Sequence, residues 1–191
     1  MLWLKLVCSF AMDPLMSESN PGAIRVVLAS AILILCVGCD QATKHLASQT
    51  LQNGPRQSYL ADTVRLEYAL NPGGFLSLGS HLSESVRTWL FVGFNVAMML
   101  ALSVYLVINR QLPFAFFASA VFVIAGGVGN LIDRVANKGL VTDFINLGIG
   151  PVRTGIFNVA DMAVTFGVIA LLIQSFRQDR AEAATPRDLC H

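Results

Sequence analysis

The chain has 191 residues, of which 54% are hydrophobic and 13% charged, against about 25% charged in an ordinary soluble domain. Mean hydropathy is +0.62 and net charge only +1, which excludes a soluble globular protein and a basic surface for nucleic acid. Two of the four cysteines (Cys8 and Cys190) lie in the tails and two (Cys36 and Cys39) at the end of one apolar run, so no disulfide framework is expected.

Residues 1–15 (MLWLKLVCSFAMDPL) stand apart from the rest of the chain, and Met16 opens a polar stretch that enters an apolar run. Residues 1–22 are expected to be a disordered tail or an upstream extension. The first apolar run, Val26 to Cys39, is short for a span. It lengthens if the helix continues through Asp40, Gln41 and Lys44, with the lysine reaching toward the interface. Asp40 and Lys44 form an i,i+4 pair, for which a structural lock and a substrate contact are equally open.

The loop after this helix carries Val64, Leu66, Tyr68 and Leu70 in alternation with Arg65, Glu67 and Ala69, the pattern of a half-buried strand. Asn71-Pro72-Gly73-Gly74 then supplies turn chemistry, and Asn71 is either a turn residue or a site residue. The second span, Trp89 to Ile108, is long enough to cross and has one polar interruption, Asn95. Asn109-Arg110-Gln111 makes a tight hairpin to the third span, Leu112 to Ile132. In that span Gly126, Gly127 and Gly129 permit close helix contact. Asn130 and Arg134 share a face near its end, again as a polar lock or as substrate contacts. Leu140 to Leu147 is expected to form a second short strand. Gly155 to Phe176 completes the set of spans and carries one charge, Asp161.

Four spans put both termini and the short hairpin on one face and both long loops on the other. The terminus face carries six basic residues and the loop face seven, but three arginines crowd into the short stretch after Phe176 and one into the hairpin. That density favours a cytoplasmic terminus face. The expected architecture is an all-α membrane protein, with a domain over 23–176, a small β-sheet at the membrane surface and a cytoplasmic tail over 177–191.

Two aspartates sit among apolar residues in TDFINLGIGPVRTGIFNVAD. If the fourth helix starts near Ile156, Asp161 lies about one turn deep, roughly 7 Å, an expensive place for a carboxylate. Asn158, three residues earlier, shares its face. The competing expectation is a carboxylate that caps the helix start, where the dipole favours negative charge. Asp143 alone is a turn aspartate. Brought together, two carboxylates cannot both ionise easily, and such a pair can serve as general base and general acid.

Other chemistries find less support. Cys36-Val-Gly-Cys39 has redox spacing, but residues 132–156 hold no second cysteine pair. His45, His81 and His191 are scattered, so no metal site is expected. With no Ser/His or Cys/His pair near the clustered face, nucleophilic catalysis is not expected. A proton-relay transporter should show internal repeats or broken helices, and neither is visible. A binding protein of the same build should lack one aspartate, and both are present.

DQATK (40–44), NPGGF (71–75), GNLIDR (129–134), VTDF (141–144) and FNVAD (157–161) occur in an order that resembles the bacterial lipoprotein signal peptidases, the type II signal peptidases. The resemblance runs from about Ala23 to Phe176. It implies a multi-pass intramembrane aspartyl protease of the bacterial inner membrane with its site at the periplasmic face, beside a small periplasmic β-sheet and a surface loop. Such an enzyme cleaves diacylglyceryl-modified prolipoproteins before the lipidated cysteine. On this resemblance Asp143 and Asp161 are the catalytic dyad. Asp40, Lys44, Asn71, Gly73, Asn130, Arg134 and Asn158 orient it or line the pocket, and Asp133 is structural. Lipidated precursors and membrane lipids are the partners implied, with no metal or organic cofactor, and a monomer is expected. The sequence departs from the family pattern, usually Asn-x-Gly-Ala-Ala-Phe, at NPGGF.

Overall fold

The computed structural model describes residues 21–73 and 83–184. Four helices long and apolar enough to cross a membrane are present: α1 (Pro21–Leu51), α2 (Glu84–Ile108), α3 (Phe114–Ala136) and α4 (Val159–Ala184). A helix satisfies its own backbone hydrogen bonds, which is why it can cross lipid at all. The four-span expectation is borne out, and the second and third apolar spans run close to their expected limits, while α1 and α4 depart from theirs.

The first exception is α1. Its 31 residues reach about 46 Å at the helical rise, well beyond a hydrocarbon core of roughly 30 Å. The excess projects past the lipid and carries Asp40, Lys44, Ala47 and Leu51, all buried. The short apolar run is therefore the lipid-facing part of a much longer helix. The second exception is α4, which begins at Val159 rather than near Ile156. Phe157 is held in extended pairing with Ile145, so the helix cannot start before it. The helix also continues to Ala184, beyond its apolar span of Val159–Arg177.

A four-stranded antiparallel sheet caps one end of the bundle, in the order β1 (Gln57–Tyr59), β2 (Val64–Asn71), β3 (Val141–Ile149) and β4 (Val152–Arg153). The two central strands are the ones the alternation and the apolar run predict. The outer two are too short to leave a periodic signal. Gly74 to Leu82, including the phenylalanine of NPGGF and most of the expected surface loop, lie outside the described residues, as do the tails at 1–20 and 185–191.

The interior divides by chemistry. An apolar cluster of Ile32, Leu106, Phe117, Ala120, Val121 and Ala125 joins α1, α2 and α3 within the bundle. Ala47 and Leu51 at the end of α1 pack with Phe144 beneath the sheet. Between these clusters the largest fully buried side chains are polar: Asn158, Asp40 and Asp143. Many large apolar side chains face outward instead, Ile34, Leu35 and Phe166 among them, as lipid as solvent allows. Close approach of α3 to its neighbours depends on small residues. A Cβ at Gly126 would run into the Ala160 carbonyl oxygen, and one at Gly129 would lie 2.7 Å from Oδ2 of Asp40.

Candidate active site

The sheet delivers Asp143. In its register Ala69 pairs with Asp143 and Asn71 with Val141, so Asn71 is the diagonal neighbour of Asp143 on the same face. Asn71 donates from Nδ2 to Oδ2 of Asp143 at 2.8 Å. Its own Oδ1 accepts from Gly73 N–H at 2.9 Å, which fixes the amide with its N–H pointing at the carboxylate. Asp143 is 1% exposed. Burial first, and the nearby Asp161 carboxylate second, push its carboxyl up to about 6, because the charged form is disfavoured on both counts.

The start of α4 delivers Asp161. Asn158 accepts from the Asp161 N–H through Oδ1 at 2.9 Å, and Oδ2 of Asp161 accepts from the Asn158 N–H at 3.3 Å. This is a reciprocal capping box. Asp161 is therefore the third residue of the helix, roughly 3 Å along its axis, not one turn deep. The expected depth is corrected, and the capping geometry weighed against it is the one present. Capping and partial burial coexist because the helix end packs against α1 and α3. Asp40 Oδ1 accepts from the Ala160 N–H at 2.9 Å, so α1 satisfies another backbone donor of the same helix start.

Asn158 joins the two aspartates. Its Nδ2 donates to Oδ1 of Asp143 at 2.6 Å, and to Oδ1 of Asn130 at 3.1 Å. Asn130 on α3 in turn donates from Nδ2 to Oδ1 of Asp161 at 2.9 Å. Lys44 donates to Oδ1 of Asn130 at 3.0 Å, so the orientation of that amide is set by a cation behind it.

Below this layer lies a buried ion cluster. Lys44 Nζ sits 2.8 Å from Asp40 and 3.3 Å from Asp133. Gln41 Nε2 spans Oδ2 of Asp40 at 3.2 Å and Oδ1 of Asp133 at 3.0 Å. Oδ2 of Asp133 accepts from the Thr142 N–H at 2.8 Å, one residue before Asp143. Asp133 therefore anchors the strand that carries one aspartate, while Asp40 anchors the helix that carries the other. Arg134 points the other way. It donates to the carbonyls of Gly139 at 2.8 Å and Gly73 at 2.6 Å, and stacks over Phe91 at 5.4 Å.

All nine candidate site residues thus fall in one connected region at the sheet end of the bundle. Sequence reasoning passed over Gln41, which touches both carboxylates of the ion cluster. Its spacing of three from Lys44 put it on that residue's face of the helix. No group of three or more His, Cys, Asp or Glu suited to a metal occurs among the described residues.

Comparison with known proteins gives consistent results. A family model described as Signal peptidase (SPase) II matches residues 32–177. The chain is 35% identical over 151 residues to a lipoprotein signal peptidase of Desulforapulum autotrophicum, covering 78% of this chain and 90% of that protein. It is 32% identical over 152 residues to one from Streptococcus pneumoniae, covering 80% and 94%. A solved bacterial membrane enzyme, determined in meso at 2.3 Å resolution, superposes with a TM-score of 0.69 at 25% identity. That alignment covers 88% of this chain and 95% of the solved one.

Proposed function

This chain belongs to the signal peptidase II family, and on that premise we propose that Asp143 and Asp161 are its catalytic pair. It is a multi-pass membrane endopeptidase of the aspartic class that removes signal peptides from prolipoproteins. One observation carries the assignment of the pair: Asn158 donates to both carboxylates, from its side-chain amide to Asp143 on a strand and from its backbone N–H to Asp161 on a helix. The finer substrate proposed is the diacylglyceryl-modified precursor, cut before its lipidated cysteine, with the acyl chains in the bilayer beside the helices.

The pair holds one shared proton. Its ionised carboxylate takes a proton from water, and the resulting hydroxide adds to the scissile carbonyl carbon. The protonated carboxyl gives its proton to the carbonyl oxygen, forming a tetrahedral diol. The first carboxyl then protonates the amide nitrogen as the C–N bond breaks, and a diol hydroxyl returns its proton to the second. A carboxylic acid and a free amine leave, and the pair again holds one proton. Asn71, Asn130 and Asn158 hold the carboxylates in place through neutral N–H donors. Lys44, Asp40 and Asp133 fix those elements from behind, and Arg134 and Gly73 shape the approach to Asn71.

The location proposed is the bacterial inner membrane, with the aspartate end periplasmic and the termini cytoplasmic. Arginine density in the hairpin and after Phe176 supports that orientation. A monomer is proposed, with Asn71, Asn130 and Asn158 reaching the two aspartates within one chain. Asp143→Asn and Asp161→Asn should each lower processing of a lipidated precursor in vesicles by about 10²–10⁴-fold or more. Substantial cleavage by either variant would remove that residue from the pair.

A further inference from the structure

At the far end of the bundle from the aspartates, a cleft of about 760 Å³ opens between α1, α2 and α3. Its volume falls within the range of roughly 300–1,000 Å³ usual for small-molecule sites. The walls are apolar, with Ala29 and Leu33 of α1 facing Val121 of α3. The mouth is not. Arg25, Arg110 and Gln111 line it together, on the face from which the chain's ends emerge.

Among the side chains described, which stop at Arg177 in α4, the two arginines meet no carboxylate. Arg25 donates to the backbone carbonyls of Arg110, at 2.6 Å, and Leu112, and lies over the Phe117 ring at 5.4 Å. Arg110 makes one weak bond to the Val107 carbonyl at 3.4 Å. Carboxylate ion pairs among the described residues involve Asp40, Asp62 and Asp133, all at the opposite end. Two like charges therefore stand at one mouth, held by neutral carbonyls and a ring, above a slot lined with hydrocarbon. The starts of α1 and α3 lie on the same face with the positive ends of their dipoles, opposed by the negative end of α2 at Ile108, so the two arginines supply the net charge.

We propose that this cleft is a binding site for one acidic phospholipid, its phosphate between Arg25 and Arg110 and one acyl chain between α1 and α3. Charge complementarity selects the headgroup, and the apolar depth selects a lipid over a free anion. Basic pockets between transmembrane helices take anionic headgroups for the same physical reason.

The test uses the full chain in neutral detergent. Native mass spectrometry follows phosphatidylglycerol or phosphatidylcholine retained after washing. Wild type should keep one phosphatidylglycerol and little phosphatidylcholine, and its thermal unfolding should shift upward only with the former. Retention should fall at least about tenfold in R25Q/R110Q. Ala29→Trp keeps both charges but fills the slot, and should lose the lipid too. Arg177→Gln, an exposed cation on α4, should change nothing. Processing of a lipidated precursor reports that each variant is folded. Equal retention of both lipids, unchanged retention in R25Q/R110Q or in Ala29→Trp, or an equal loss in Arg177→Gln would overturn the proposal. So would displacement by inorganic phosphate, which would mean that the anion alone is read. Lipid binding seen only after deletion of residues 1–20 would assign the cleft to that segment instead.

Discussion

Asp40 and Asp133 lie in the same hydrogen-bond network as Asp143 and Asp161, yet the two pairs meet different partners. Asp40 and Asp133 share the ammonium of Lys44, at 2.8 and 3.3 Å. Asp143 and Asp161 receive amide N–H groups, from Asn71 and Asn158 for the first and from Asn130 and the Asn158 backbone for the second. A lysine sets an ammonium against the carboxylates it touches. The amides donate neutral N–H groups to carboxylates that are desolvated and, for Asp143, face the like charge of Asp161. One pair is matched by a cation, and the other is held by neutral donors, as acid–base chemistry needs.

Removing the lysine should have the largest effect. Lys44→Met leaves two buried carboxylates without their cation and Asn130 without its rear donor. Loss of one partner from a buried ion pair costs about 3–5 kcal/mol, so the variant should unfold far more readily in detergent. Adding Asp40→Asn and Asp133→Asn to it should recover part of the loss. Asp143→Asn with Asp161→Asn should instead leave stability at or above that of wild type at neutral pH while abolishing processing. If Lys44→Met unfolds like wild type, the division of labour between the pairs is wrong.

A second experiment uses pH. The folded-state value of Asp143 is raised, to about 6, above the roughly 3.9 of an unfolded aspartate. The folded protein therefore binds this proton more tightly than the unfolded chain does. The stability contributed is full below about pH 4 and lost as pH rises through about 6, an amount on the order of 1–3 kcal/mol. Thermal unfolding measured across that window should show the decline in wild type and a flatter profile in Asp143→Asn. An equal slope in both would mean that another group carries it.

How much of this was legible in the sequence depends on the range over which each feature is encoded. Spans depend on composition over a window the thickness of the bilayer, so α2 and α3 were bounded closely. The strand Val64–Asn71 showed itself by alternation. The start of α4 did not, because Gly155-Ile156-Phe157 is as apolar as a helix and its extended form is imposed by pairing with β3. For the same reason the capping role of Asp161 looked like depth. Motif order singled out the site residues by resemblance. Their connections rest on contacts between α1, α3, α4 and the sheet, up to 120 positions apart in the case of Asp40 and Ala160, which no local pattern encodes. Gln41 was missed because an amide between Asp40 and Lys44, in a polar stretch, carries less signal than the charges beside it.

The smallest expected effect asks whether the amides tune the aspartates or only hold them. Asn71 donates to Oδ2 of Asp143, and that bond favours the ionised form. In Asn71→Ala the bond is gone while burial and the Asp161 charge remain, so Asp143 should hold its proton to higher pH. The upper edge of the stability decline should move upward, and processing should slow by about tenfold, the equivalent of roughly 1.4 kcal/mol. A merely structural Asn71 would lower stability at every pH alike and leave the window where it was. The loss of the Gly73 contact contributes only to that uniform part. A moved window with a slowed rate would therefore tie the neutral donor to the chemistry, and an unmoved one would reduce Asn71 to the end of a strand.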